Sequence, residues 1–156
     1  PDKRAALAAI AAVLRPGGRL AVAETVPSRG QRLSEVLDLS GLAPLSVERP
    51  KAAEEGIYRD PGDALAGWDE TSLAADAEAA GLAVATAEVA ISTAERRVRA
   101  EDLERWLAGA WGEAVARVLT AEDMASLRIE ARRRLAGRDV PWRTATLYLV
   151  AAKPGS

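Results

Sequence analysis

The chain contains no cysteine, no histidine and no phenylalanine in 156 residues, and its single methionine is Met124. Without thiols there are neither disulfides nor thiolate nucleophiles, and without imidazoles the commonest neutral-pH base is missing too. The usual zinc-ligand sets are removed with them, and no metal site is expected. Any chemistry has to use carboxylates, hydroxyls, backbone groups or cationic side chains. Four Trp and two Tyr are the only aromatics, so the core is expected to rest on Leu, Val, Ile and Ala. A formal charge of −2 gives no global attraction to nucleic acid. No apolar run reaches the roughly 18 residues that span a bilayer, and no charged-then-apolar signal opens the chain. A soluble cytoplasmic protein is the expectation. The length suits one domain with one core. Because the first residue is Pro1 and not Met, the chain is expected to be a piece of a longer polypeptide.

Hydrophobic spacing supplies most of the organisation. Leu7, Ile10, Ala11 and Leu14 form one apolar stripe at helical period over residues 2–15. Pro16 forbids continuation, and Gly17-Gly18 suits a left-handed helix stop. Leu20 to Ala23 is apolar on both faces, as a central strand covered on both sides would be. An irregular, lid-like segment then runs from Pro27 to Gly67, interrupted by Pro44, Pro50 and Pro61. Short helices are expected within it near Leu33–Leu37 and Ala52–Tyr58. Asp69 is placed to cap a helix that should stop at Gly81. Leu82 to Ile91 is rich in β-formers. Residues 99–138 return to helical period, with Thr120-Ala-Glu-Asp123 spaced as a capping box and an end at Gly137. Thr144 to Ala152 reads as a last strand. Strands alternating with helices indicate an α/β layered fold.

The run Val13-Leu-Arg-Pro-Gly-Gly-Arg-Leu-Ala-Val22, continuing into Ala23-Glu24, resembles class I S-adenosylmethionine (SAM) dependent methyltransferases, where the helix before the fifth strand closes on such a double-glycine turn. The resemblance extends over residues 2–24, Trp68–Ile91 and Thr144–Ala152. It implies the C-terminal half of a Rossmann-like methyltransferase sheet of about three strands, with the last strand antiparallel between the preceding two and 99–138 a helical insertion before it. It also implies SAM as the cofactor of the complete domain, ligands for it mainly N-terminal to Pro1, and none in this piece. The isolated chain would then be inactive. Its partner would be the N-terminal remainder of the same polypeptide, and an unpaired strand edge makes a homo-oligomer a further expectation.

A second pattern overlaps the first. Glu54-Glu-Gly-Ile-Tyr58, Trp68-Asp69, Thr93-Ala-Glu-Arg96, Leu103-Glu-Arg-Trp106 and Val140-Pro-Trp-Arg143 together resemble a methyltransferase-like region fused behind RarA-type replication and recombination AAA ATPases. That implies a parent with an ATPase ring and this piece as its C-terminal part, either enzymatic or a non-catalytic interaction or oligomerisation module. The chain itself has no G-x-x-x-x-G-K-[ST] loop.

Each candidate site residue has a functional and a plain reading. Glu24, at the C-terminal end of a predicted strand, sits on the rim where open α/β sheets bind ligands. It could hold a substrate amine or act as a base, or cap a loop in water. Tyr58, Trp68 and Asp69 border the lid-like segment. The aromatics could clamp a planar acceptor or pin the segment to the core, the commoner use. Trp106, Trp111 and Trp142 could stack on bases, although their spacing favours packing. The clusters Arg96-Arg97-Val-Arg99 and Arg132–Arg134 read as solvated faces diluted by nearby carboxylates, with nucleic-acid contact the alternative.

Overall fold

In the computed structural model, which describes residues 3–37 and 44–155, the elements in chain order are α1 (Lys3–Val13), β1 (Arg19–Thr25), a 3-10 turn (Pro27–Arg29), α2 (Leu33–Val36), α3 (Pro44–Arg59), α4 (Glu70–Ala79), β2 (Ala83–Arg97), α5 (Ala100–Ala108), α6 (Ala110–Ala116), α7 (Ala121–Leu135) and β3 (Asp139–Ala152). The architecture is α/β, and the three strands lie in the order β1-β3-β2. β3 runs antiparallel to β1, from Arg19 opposite Ala152 to Thr25 opposite Thr146. Bonds from the Val98 N–H to Arg138 O (2.8 Å) and from the Gly137 N–H to Val98 O (2.8 Å) join the end of β2 to the start of β3, so that pair is antiparallel too. The last strand in sequence therefore sits in the middle of the sheet.

The expected single core is two. Residues 1–30, 61–92 and 144–156 form one compact unit, and residues 31–60 and 93–143 form a second. The first is centred on Leu7, Ala11, Trp68, Leu73, Ala77 and the inward face of β3, namely Ala145, Leu147, Leu149 and Ala151. The period-2 burial of β3 follows from the pleat, which turns alternate residues to opposite faces. The second unit is centred on Leu33, Leu37, Leu103, Leu107, Trp111, Val115, Leu127 and Leu135, where α6 packs against α3 and α5 and α7 closes the other side.

The double-glycine turn has a reason at each position. Gly17 holds φ at +73°, a conformation that side chains rarely adopt, and a Cβ on Gly18 would lie 2.8 Å from Arg15 O. The turn is locked to the far end of β3 by the Gly17 N–H to Lys153 O and the Lys153 N–H to Gly18 O, both 2.9 Å. The Lys153 ammonium then donates to Ala11 O and Leu14 O, each at 2.8 Å. A cation thus caps the carbonyl end of α1, where the helix dipole favours it.

Several expectations are corrected. β1 is an edge strand, not a central one. Leu20 and Val22 are half-buried on one face, while Ala21 and Ala23 on the other are exposed. Tyr148 of β3, opposite Ala23, is 53% exposed on that same face. The lid-like segment is largely helical where it is described, its residues 38–43 lying outside the described part. α3 runs through Pro50, which is buried, so packing overrides the break that proline favours. β2 extends to Arg97 and β3 begins at Asp139, because residues 93–97 and 139–143 pair with each other rather than alternating in hydrophobicity. The helical stretch 99–138 divides into three, with breaks at Gly109 and around Thr120. Thr120 caps α7 by accepting from the Asp123 N–H at 3.1 Å. α7 ends before Gly137, at φ +75°.

Candidate functional site

The first unit holds a cleft of about 470 Å3 between the N-terminal half of α1, the C-terminal end of β1 and the segment entering α4. Its wall is apolar because helix and strand both offer their inward stripes to it, through Leu7, Val22 and Leu73. At its mouth Ile10 is 37% and Leu65 73% exposed. Polar groups are few: Lys3, Glu24 and Thr25.

Trp68 forms one side of this cleft and is buried. The segment before it is wound into a turn by Asp63, whose carboxylate accepts from the N–H groups of Leu65 (2.8 Å) and Ala66 (3.0 Å). The indole N–H of Trp68 donates to Leu65 O at 3.1 Å, and Ser28 Oγ donates to Trp68 O at 3.2 Å. The ring is thereby pinned, as the packing reading expects, yet one face is open to a cation: Lys3 Nζ lies 5.1 Å from its centroid. Glu24 is exposed, and its carboxylate accepts only from the adjacent Thr25 N–H, at 3.2 Å. A carboxylate, an ammonium and an indole at an apolar cleft bind and orient. They do not by themselves make a nucleophile–base pair.

The four residues singled out from the sequence do not converge. Glu24 and Trp68 line one cleft. Asp69 adjoins it in sequence, but its carboxylate accepts from the Ser72 N–H at 2.8 Å and forms the capping box of α4, with Ser72 Oγ accepting the Asp69 N–H at 2.9 Å. The Ser72 N–H holds the Asp69 carboxyl below its ordinary range, helped by the Ser72 hydroxyl and the Arg29 charge. Arg29 itself pairs with Glu70, the first residue of α4.

Tyr58 belongs to the second unit. Arg32 lies 4.0 Å over its ring and bonds the Glu55 carboxylate at 2.6 Å. Burial pushes the Tyr58 phenol up, and the Glu54 carboxylate adds to the shift. Glu54 is fully buried and accepts from the N–H groups of Leu33 (2.7 Å) and Ser34 (3.0 Å), so it caps α2 from across the unit. In the same unit Trp106 and Trp142 stack with centroids 5.2 Å apart. Arg96 lies 4.5 Å from the Trp142 centroid and 5.2 Å from that of Trp106. Sequence reasoning treated these three residues separately, and no local signal joins them. Arg132–Arg134 are solvated and paired, Arg132 with Glu104 and the other two with Glu130. No cluster of metal-ligating side chains occurs among the described residues, nor any helix long and apolar enough to cross a membrane.

No family model matches the sequence, and no curated protein matches it significantly. Among solved structures, the chain is similar to a Bacillus halodurans C-125 protein described as a "putative methyltransferase", at 16% identity and a TM-score of 0.43. The match covers 97% of this chain, which spans 62% of that protein's length.

Proposed function

We propose that this chain is the C-terminal part of a SAM-dependent methyltransferase-like α/β domain. The observation that carries the reading is the sheet order β1-β3-β2, with the last strand reversed between the other two, which is the arrangement that the residues around Gly17-Gly18 imply. The uncovered face and edge of β1 support it further. Ala21, Ala23 and Tyr148 form an apolar face with nothing over it among the described residues, and the N-terminal remainder of the domain would cover it.

The residues present do not fit SAM. Gly17 and Gly18 are not a cofactor cradle, because their N–H groups are spent on Lys153 O and Arg15 O. The complete domain would take its cofactor contacts from elsewhere. This part would contribute the cleft at Glu24 and Trp68, which positions an acceptor with a large apolar portion. Positioning and exclusion of water are the means by which a direct transfer between bound partners is accelerated.

A second reading, a non-catalytic interaction or oligomerisation module of a cytoplasmic RarA-type ATPase, is favoured by one observation. Glu54–Tyr58, Thr93–Arg96, Leu103–Trp106 and Val140–Arg143 all fall within the second unit. Titration calorimetry of SAM into the complete parent polypeptide, with residues 1–156 alone as control, separates the two. Heat from the complete protein only supports the split methyltransferase-like domain, whereas none from either leaves the scaffold reading. Sedimentation tests the open strand edge: self-association is expected of the isolated chain, and a sharp monomer would contradict it.

A further inference from the structure

The second unit has a cleft of its own, of about 280 Å3. Four of the six aromatic residues in the chain border it, namely Tyr58, Trp106, Trp111 and Trp142, with Gln31 and Arg105 as polar neighbours. Core packing accounts for Trp111, which is 6% exposed, but leaves Tyr58, Trp106 and Trp142 only half-buried.

Two further observations narrow what would fill this space. The Trp111 indole N–H is buried and has no acceptor among the described residues. A buried donor left unmade is costly, so an occupant with an acceptor atom gains from it. The surroundings are also cationic at the rings. Arg32 lies over Tyr58, and Arg96 lies against both stacked indoles with no carboxylate bonded to it among the described residues. The Arg105 side chain, paired with Asp102, is 70% exposed. An aromatic box ordinarily attracts a cation, but here guanidinium groups already occupy that role and would repel another. An aliphatic ligand would leave the Trp111 donor unpaired. A planar ring that carries acceptors and an anionic group satisfies all three conditions. The volume, at the small end for ligand pockets, limits the buried portion to about one ring system.

We propose that this cleft binds a nucleotide, the base against the indole and phenol rings, a ring acceptor on the Trp111 N–H, and the phosphate toward the Arg105 and Arg96 guanidinium groups. The site is independent of the methyltransferase-like reading of the first unit. A free mononucleotide and the base of a single-stranded nucleic acid share this chemistry, and the test distinguishes them.

Three of the four tryptophans border the cleft, so intrinsic fluorescence of the full chain is titrated with adenosine monophosphate and, separately, with a short single-stranded oligothymidylate at low salt. Saturable quenching by the mononucleotide supports a free ligand, and quenching by the oligonucleotide alone supports a strand. Trp111→Phe keeps the ring and removes only the donor, and it should weaken binding roughly two- to tenfold. Arg105→Gln changes an exposed side chain and should weaken binding while flattening its salt dependence. Absence of saturable quenching by either probe in the millimolar range overturns the proposal. So do binding curves that both variants leave unchanged.

Discussion

Glu54 offers the sharpest test of how the second unit is held together, because its carboxylate is fully buried yet bonds no cation that would explain its presence. Both oxygens are committed to backbone donors, one to Leu33 and one to Ser34, the first two N–H groups of a helix too short to satisfy them. Hydrogen bonds to a charged group contribute roughly 1.5–3 kcal/mol each. Glu54→Ala breaks both and leaves two buried donors unpaired, so the expected loss is about 3–6 kcal/mol. Glu54→Gln keeps the shape and one acceptor but turns an amide N–H toward the second donor, for an expected loss of about 1.5–3 kcal/mol. Single domains have about 5–15 kcal/mol in total, which puts the alanine variant near the threshold of unfolding. Urea titration followed by tryptophan fluorescence is the assay, since Trp106, Trp111 and Trp142 all belong to this unit. With a slope of about 1–3 kcal/mol per molar urea, the glutamine variant should lose roughly 1 M in midpoint. An unchanged midpoint for Glu54→Gln would refute the capping role.

Three other perturbations follow from the geometry. A Cβ on Gly112 would sit 2.0 Å from Leu107 O, so Gly112→Ala must move backbone and should cost about 3 kcal/mol or more; a wild-type melting temperature would contradict the close approach of α5 and α6. Lys153→Met keeps the aliphatic stem but removes both bonds to the end of α1, with an expected loss of about 1–2 kcal/mol in denaturant titration. Asp69→Ala should cost about 1 kcal/mol near neutrality and Asp69→Asn a few tenths, because asparagine also caps. The folded-state carboxyl of Asp69 lies below its ordinary value. Its contribution is therefore present above the unfolded value of about 3.9 and is lost as the pH falls through the folded one. The gap between wild type and Asp69→Ala should narrow at about pH 3, and a gap of constant size would contradict the cap.

Much of the fold was legible where a short-range rule has one outcome. Gly17, Gly81 and Gly137 all stand at positive φ, and each closes a helix where hydrophobic period and glycine coincide. The Asp69 and Thr120 caps are equally local. What escaped depended on partners distant in sequence. β2 was expected to stop at Ile91 because residues 92–95 are exposed and polar, and β3 to start at Thr144 because Pro141 and Arg143 are poor strand signals. Each extension exists through the other. The burial of Pro50 in α3 likewise depends on neighbours that no local window contains. β1 reads as covered on both faces because its composition, Leu-Ala-Val-Ala, suits either a central strand or an edge strand whose outer face carries small residues. Composition does not distinguish them.

The candidate sites divide along the same line. Glu24 and Trp68 meet at one cleft because both lie where chain direction changes next to the sheet rim, and rim position is readable from the order of elements. Tyr58 flanks the same segment in sequence but turns to a different unit, since α3 carries it to the place where Arg32 and Glu54 hold it. The Arg96–Trp106–Trp142 group is the clearest case. Two of its members lie on the strand extensions that the sequence did not disclose, so the group could not be assembled before the pairing of residues 93–97 with 139–143 was known. Helix spacing alone made Trp106 a packing residue, and for one of its ring faces that is correct. Its other neighbours are a second indole and a guanidinium without a carboxylate among the described residues. A ring used only for packing has no need of that arrangement, whereas a ring that stacks on a ligand does.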